Sequence, residues 1–195
     1  MFIQISGQNK STDESINDID KLWKGIREGR SESLSGLFCI SYSWLFNYGF
    51  KIVPKEDFIK DTIQELFLNV WKRRDGINKA ISVKSYLFSS LRRIIMRRLQ
   101  KQRNRTQRNH SYDENHFKEI YNIEEVIIHF ETSKEKKEQL KLAMESLSER
   151  QKEAIYLKFY NGLSNNEIAE VMGINKQSVY NHVSKAIAEM QDYVT

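Results

Sequence analysis

The chain has 195 residues, a formal net charge of +5, one cysteine and one proline. A single cysteine excludes an intramolecular disulfide, and the lack of a long apolar run argues against a secretory signal or membrane insertion, so we expect a cytoplasmic protein. Charged residues make up 29% of the chain, which with so little proline favours helices throughout and basic surfaces suited to a polyanion. Cys39 lies between two apolar residues, and we expect a buried, inert thiol.

Apolar residues recur three and four positions apart in the first half of the chain, which predicts amphipathic helices. The stripe before Pro54 consists of Leu34, Leu37, Phe38, Tyr42 and Leu45, and a shorter helix with Trp23 and Ile26 precedes it. A second long helix follows Pro54 and ends at Asp75 and Gly76, whose residue types favour a turn. A third long helix is predicted from Tyr86 to Gln100.

The helix after Pro54 carries polar residues opposite its apolar stripe. They are Asp57, Asp61, Gln64 and Glu65, with Trp71 at the far end of the strip. No histidine or cysteine accompanies these carboxylates, so we expect neither catalysis nor a metal or other cofactor. The strip is either a solvated helix face or a docking surface for a basic protein partner.

The third helix and the residues after it are strongly basic. The run contains Arg92, Arg93, Arg97, Arg98, Lys101, Arg103, Arg105 and Arg108, with no acidic residue among them. Charges of one sign at this density favour binding to nucleic acid, because each phosphate contact releases counterions. The nearby aromatic residues Trp71, Tyr86 and Phe88 could stack on unpaired bases, although Tyr86 and Phe88 could equally belong to the core.

A polar stretch from Lys101 to Glu119 then predicts a linker, and apolar periodicity resumes before Leu140. We predict an all-α protein with two small helical domains, at 18–102 and 133–195, joined by a linker at 103–132, and we expect the second domain to contain four helices. In the second domain Ser148 and Gln151 have the spacing of a capping box, and Ile155 and Phe159 are expected in the core.

The segment from Ser164 to Ile187 predicts two helices joined by a tight turn, as in a helix-turn-helix. Ser164 and Glu167 form a capping box, Gly173 permits the turn, and Asn175 caps the second helix. The residues expected to face inward are Val179, Val183, Ala186, Ile187 and Met190. Those expected to face outward are Lys176, Gln177, Tyr180, Asn181, Ser184 and Lys185. This outer face is either an ordinary solvated surface or a recognition helix for the major groove.

These motifs, in this order, resemble those of RNA polymerase sigma factors of the extracytoplasmic-function class in the sigma-70 family. This class keeps only the second and fourth conserved regions. The resemblance rests on Asp61-Thr-Ile-Gln-Glu65, Tyr86-Leu-Phe88 with Arg92, Leu147-Ser-Glu-Arg-Gln151, Glu167-Ile-Ala169, Gly173 and Val179. It implies a non-enzymatic protein that binds core RNA polymerase through the largest-subunit clamp and the flap, and directs transcription initiation at promoter DNA. An anti-sigma factor is a further expected partner.

The resemblance also implies roles for individual residues. Polymerase binding falls to Asp57, Asp61, Gln64 and Glu65. Recognition and melting of the minus-ten element fall to Trp71, Lys84, Tyr86, Arg92, Arg93, Arg97 and Lys101, together with the loop between Arg74 and Lys84. Recognition of the minus-thirty-five element falls to Arg150, Ser164, Asn175, Lys176, Gln177, Tyr180, Asn181 and Lys185.

Some positions depart from the usual pattern of this class. Lys60 stands where an acidic residue is usual, Arg93 where asparagine is common and Arg97 where aspartate is common. Two other functions stay open on the sequence: a helix-turn-helix regulator that binds duplex DNA without acting as a sigma subunit, and a helical interaction protein with no DNA contact.

Overall fold

The structure, a computed structural model, describes residues 10–76, 82–108 and 142–194. Within these ranges it is helical throughout, without a strand, as the sequence predicts. The N-terminal helices are α1 (Lys10–Arg27), α2 (Ser31–Ile52), α3 (Glu56–Lys72) and α4 (Val83–Arg108). A single 3-10 turn, Arg74–Gly76, follows α3.

The first break in the chain is made by Gly29, which has a φ of 79°. The amide of Arg30 donates to the carbonyl of Gly25 and that of Gly29 to the carbonyl of Ile26, each at 2.9 Å. These two bonds satisfy carbonyls left open at the end of α1, in the manner of a Schellman motif, and only glycine takes the left-handed conformation without strain. Gly29 therefore separates α1 from α2, the shorter and the longer helix that the sequence predicts before Pro54.

The C-terminal helices are α5 (142–146), α6 (Glu149–Ile155), α7 (Asn165–Met172) and α8 (Lys176–Val194). One π-helical turn, Tyr156–Tyr160, continues α6. Both predicted capping boxes are present, Ser148 with Gln151 at the start of α6 and Ser164 with Glu167 at the start of α7. The short helices of this domain are thus closed by side chains of their own.

The two helical domains are packed against each other, with α4 lying on α7. Their buried side chains form one contiguous cluster, which includes Tyr48 and Phe88 from one domain and Ala154 and Tyr156 from the other. The predicted pair of domains is therefore present, but they share an interface rather than being held only by a tether. Helix α4 continues to Arg108, past the predicted domain boundary, and the rest of the predicted linker falls in 109–141, outside the described residues.

Three expectations about burial are wrong. Cys39 is exposed, because it lies about 200° around α2 from buried Leu37. Phe159 is 37% exposed, because the π-helical winding turns it outward while Tyr156 and Leu157 face the core. Ile187 is 36% exposed at the edge of the inward face of α8.

Candidate polymerase and nucleic-acid interface

The acidic strip on α3 is a solvent-facing surface. Asp57, Asp61 and Gln64 are exposed, one or two turns apart on the same side of the helix, as the sequence predicts. Apolar residues of the opposite side, among them Ile59, Ile63 and Leu66, are fully or almost fully buried. The burial of that side fixes which way the strip faces.

Glu65 differs from the rest of the strip because it already has cationic partners within the protein. Its carboxylate accepts from Nε of Arg98 at 2.9 Å and also pairs with the guanidinium of Arg97. Arg98 donates in addition to Oγ1 of Thr62 at 3.2 Å, and its guanidinium lies 5.7 Å from the centre of the Phe58 ring. Glu65 and Arg98 therefore fasten α4 to α3, and only Arg97 of these two arginines remains mainly in solvent.

The basic residues of α4 divide into two groups. Arg93, Arg97 and Lys101 follow one another at four-residue spacing and are exposed. Lys84 and Arg92 lie on the side that the C-terminal domain covers. The side chains of Arg103, Arg105 and Arg108 are outside the described part of the protein, as is the segment 77–81 of the predicted DNA-contacting loop.

Arg92 is bound by a carboxylate of the C-terminal domain. Its Nε donates to Oε1 of Glu153 at 2.8 Å, and the hydroxyl of Tyr48 donates to the same oxygen, also at 2.8 Å. The Arg92 and Glu153 side chains are only 16% and 5% exposed. Arg150, a predicted minus-thirty-five contact, lies 3.7 Å from the other Glu153 oxygen. Because solvent is nearly excluded, this pair is screened by salt far less than a surface pair.

Lys84 is held at the end of the π-helical turn. Its Nζ donates to the backbone carbonyl of Asn161 at 2.6 Å. A carbonyl at the end of a helix has no partner within the helix, and the helix dipole favours a cation there. Burial lowers the pKa of the Lys84 ammonium below its ordinary value, an effect that the negative charge of Glu167 partly opposes.

A second hydrogen bond joins the start of α4 to α7. The hydroxyl of Ser85 lies 3.0 Å from Oε2 of Glu170 and donates across the interface. Burial raises the pKa of nearby Glu167, but hydrogen bonds from Ser164 and Ser82 and the charge of Lys84 outweigh that effect and leave the pKa below its usual value. The C-terminal domain thus presents carboxylates to the N-terminal half of α4.

The aromatic residues near α4 separate into core and surface. Phe88 is fully buried, with its ring centre 4.7 Å from that of Trp44, so of the two roles that the sequence leaves open for it, the structure shows the one in the core. Tyr86 is half-buried and packs edge-on against Trp23, with 5.2 Å between ring centres. Trp71 is half-buried, and the Arg74 guanidinium stacks over its ring at 4.7 Å.

The C-terminal turn has the geometry that the sequence predicts. Gly173 has φ 65° and ψ 39°, and Oδ1 of Asn175 accepts from the amide of Ser178 at 2.7 Å. The exposed residues of α8 include Lys176, Gln177, Tyr180, Asn181 and Lys185, whereas Ser184 is half-buried. The α8 row, as we call these five exposed residues, presents amide and ammonium donors along one helix face.

Sequence reasoning missed the interdomain partners Glu153, Glu170 and Tyr48. A carboxylate directly before the apolar residues Ala154 and Ile155 of α6 was the one available signal, because a buried charge requires a partner. Nothing in the spacing of residues indicated that Arg92, 61 residues away, would be that partner. Among the residues described, no three potential metal ligands converge as a metal site requires.

No helix in the described ranges is long and apolar enough to cross a bilayer. A comparison with curated proteins gave no match. Among solved structures, the chain is similar to a sigma factor, RpoE, in complex with the anti-sigma factor NepR from Bartonella quintana, at 20% identity and a TM-score of 0.55, covering 82% of this chain and 95% of that one. It is also similar to CnrH in complex with the cytosolic domain of CnrY, at 17% identity and a TM-score of 0.56, covering 90% and 96%. These likenesses show the fold.

The family models identify the two domains separately. "Sigma-70 region 2" matches residues 40–105, which contain the acidic strip and most of α4, and "Sigma-70, region 4" matches residues 137–190, which contain the helix-turn-helix. Together they cover more than half of the chain, and they do not favour a regulator that lacks sigma activity, because such a protein has no need of region 2. The chain therefore belongs to the sigma-70 family and, with the two regions that the extracytoplasmic-function class keeps, is a sigma factor for promoter-specific transcription initiation.

Proposed function

We propose that residues 18–102 form the part that binds the polymerase clamp and melts the minus-ten element, and that residues 133–195 read the minus-thirty-five element and contact the flap. The observation that carries this division is the pairing of opposite charges on adjacent helices. An acidic strip on α3 lies beside an arginine face on α4, within the segment matched by region 2. One helix suits a basic protein surface and the other suits DNA.

The polymerase contact is assigned to Asp57, Asp61 and Gln64, with Glu65 in a smaller direct role. The first three side chains are exposed and can reach a partner without breaking a contact within the protein. Glu65 would have to exchange Arg97 and Arg98 for polymerase groups.

The DNA contacts are assigned to two surfaces. The minus-ten element meets Trp71, Tyr86 and the α4 residues Lys84, Arg92, Arg93, Arg97 and Lys101. The minus-thirty-five duplex meets the α8 row, with Arg150, Ser164 and Asn175 at its edge. Exposed amides and ammonium groups of α8 supply the donors that base edges and phosphates in a major groove accept.

The proposal includes an anti-sigma factor as a partner. One solved structure of this fold is RpoE in complex with the anti-sigma factor NepR, and another is CnrH in complex with the cytosolic domain of CnrY. It gives the chain no reaction of its own to catalyse and places it in the cytoplasm, where it would meet RNA polymerase.

The experiment that tests the polymerase contact measures the affinity of core RNA polymerase for the full chain and for Asp61→Ala. We expect Asp61→Ala to weaken core binding roughly tenfold, as the loss of a charged contact at an interface does. The matched control is Asp20→Ala, which removes an exposed aspartate from α1.

Equal core affinity for Asp61→Ala, Asp20→Ala and the unchanged chain would remove the strip from the interface. A chain that binds no core polymerase at all would contradict the sigma function itself.

A further inference from the structure

We propose that Glu153 is a built-in competitor of promoter DNA, holding the C-terminal domain over Lys84 and Arg92 until the domains separate. The inference rests on the proposed function, which assigns these two residues to the minus-ten element. It adds a state in which the protein covers part of its own DNA-binding surface.

The covering surface is complementary in charge to the surface it covers. The N-terminal domain contributes Lys84, Arg92 and Lys51, and the ammonium of Lys51 lies 5.0 Å from the centre of the Tyr156 ring. The C-terminal domain contributes the carboxylate of Glu153, which accepts from Arg92, and the carbonyl of Asn161, which accepts from Lys84. Each of these contacts joins one domain to the other.

A carboxylate can stand in for a phosphate at Arg92, because a guanidinium binds either anion through the same fork of N–H donors. Nε of Arg92 lies 2.8 Å from one Glu153 oxygen, and an Nη lies 3.4 Å from the other. The same nitrogens cannot also bind DNA while they hold Glu153. Binding of DNA at Arg92 therefore requires the pair to break.

The interface around Glu153 is nearly closed to solvent, so breaking the contact between Arg92 and Glu153 has an energetic cost. Glu153 is 5% exposed, and the rings of Tyr48 and Tyr156 stack beside it with 6.5 Å between centres. A carboxylate this buried is stable only with its partners, so separation of the domains has to coincide with rehydration of Glu153 or replacement of its partner.

The closed arrangement leaves the other DNA surface open. Lys176, Gln177 and Asn181 of the α8 row are exposed while the domains are packed together. The competition is thus confined to the start and middle of α4, and the closed protein can still meet duplex DNA through α8.

The test uses the full chain without polymerase, labelled at native Cys39 and at an introduced Ala188→Cys, both exposed positions on α2 and α8. Energy transfer between the labels reports domain separation. A second measurement follows binding of a single-stranded DNA of about 12 nucleotides, long enough to span a typical single-strand site. The variants are Glu153→Gln and, as the matched control on the same helix, exposed Glu149→Gln.

We expect Glu153→Gln to lower energy transfer and to raise single-strand affinity about tenfold, because a charged hydrogen bond that opposes DNA is lost. Glu149→Gln should change neither. The charge exchange Arg92→Glu with Glu153→Arg should restore high energy transfer, whereas either substitution alone should lower it. Restoration by the exchange would exclude simple misfolding of the single variants.

Unchanged energy transfer in Glu153→Gln would overturn the proposed closure, and separation without a gain in single-strand affinity would overturn the proposed competition. Neither result depends on transcription. Failure of the sigma function would instead appear as absence of promoter-specific transcripts with core polymerase, whatever the labels report.

Discussion

Arg92 and Glu153 form an ion pair across the two domains, with 2.8 Å between Nε and Oε1 and little solvent around either side chain. The pair joins α4, the basic helix of region 2, to α6 of region 4, which is the helix that begins with the capping box of Ser148 and Gln151. The structure thus shows a sigma factor with part of its α4 surface already occupied by its own carboxylates.

Tyr48→Phe should lower the free energy of unfolding by about 1.5–3 kcal/mol, since it removes a hydrogen bond to a buried carboxylate. The hydroxyl of Tyr48 donates to Glu153, and both residues are buried. Urea denaturation of the full chain measures the change. Tyr42→Phe is the matched control, because Tyr42 lies on the same helix with a half-buried ring. Equal effects of the two substitutions would show that the bond to Glu153 contributes nothing.

Glu65→Ala should destabilise the protein by about 1 kcal/mol more than Asp61→Ala, because Glu65 holds two arginines of α4 at a partly exposed site. Chemical denaturation measures the stabilities, and core binding is measured on the same samples. The structure further predicts that Asp61→Ala has the larger effect on polymerase affinity. The reverse order of the two effects on affinity would restore Glu65 as a principal docking residue.

Glu167→Gln should lower the free energy of unfolding at pH values above about 4.5, and this effect should shrink as the pH falls below that value. The folded-state pKa of Glu167 is lowered from its ordinary 4.5, so the unfolded chain binds more protons between the two values. The stabilising contribution is therefore complete above 4.5 and is lost as the pH falls through the folded-state pKa. Glutamine keeps the capping box but not the charge beside Lys84. A stability difference that does not shrink on acidification would contradict this assignment.

Lys185→Ala and Gln177→Ala should affect duplex DNA binding in different ways. Loss of an ammonium that meets phosphate weakens binding to all sequences and reduces the slope of log affinity against log salt by about 1. Loss of a side chain that reads a base edge changes the preferred minus-thirty-five sequence instead, with the salt slope kept. Binding to a promoter library at several salt concentrations distinguishes them. If both variants kept the sequence preference and the salt slope of the unchanged chain, α8 would not lie in the groove.

Much of the fold follows from local pattern. The capping boxes at Ser148 and Ser164, the left-handed Gly173 and the cap at Asn175 are all local interactions, and each is present as predicted. The sequence predicts a shorter helix before α2, but the position of the break at Gly29 was missed. The π-helical turn was missed too, since no residue type encodes that winding, and it moved Phe159 out of the core.

The candidate binding surfaces were likewise predictable where exposure depends on local helix geometry, and not where it depends on a contact with the other domain. Exposure of Asp61 and Lys176 depends on helical periodicity alone, which the sequence displays. The burial of Arg92 depends on Glu153 from another domain, and a list of arginines cannot show which of them will meet a carboxylate in the folded chain. The spacing of apolar and polar residues along the chain therefore predicted the helices and their exposed faces, whereas the contacts between the domains needed the three-dimensional structure.

The most direct test of the sigma function is sequencing of the transcripts that core RNA polymerase makes in vitro from a promoter library with this chain added. We predict a discrete set of start sites that share upstream elements near minus ten and minus thirty-five, and a lower yield of those transcripts with Asp61→Ala when the protein is limiting. Transcripts identical to those of core polymerase alone would contradict the assignment of this chain as a sigma factor.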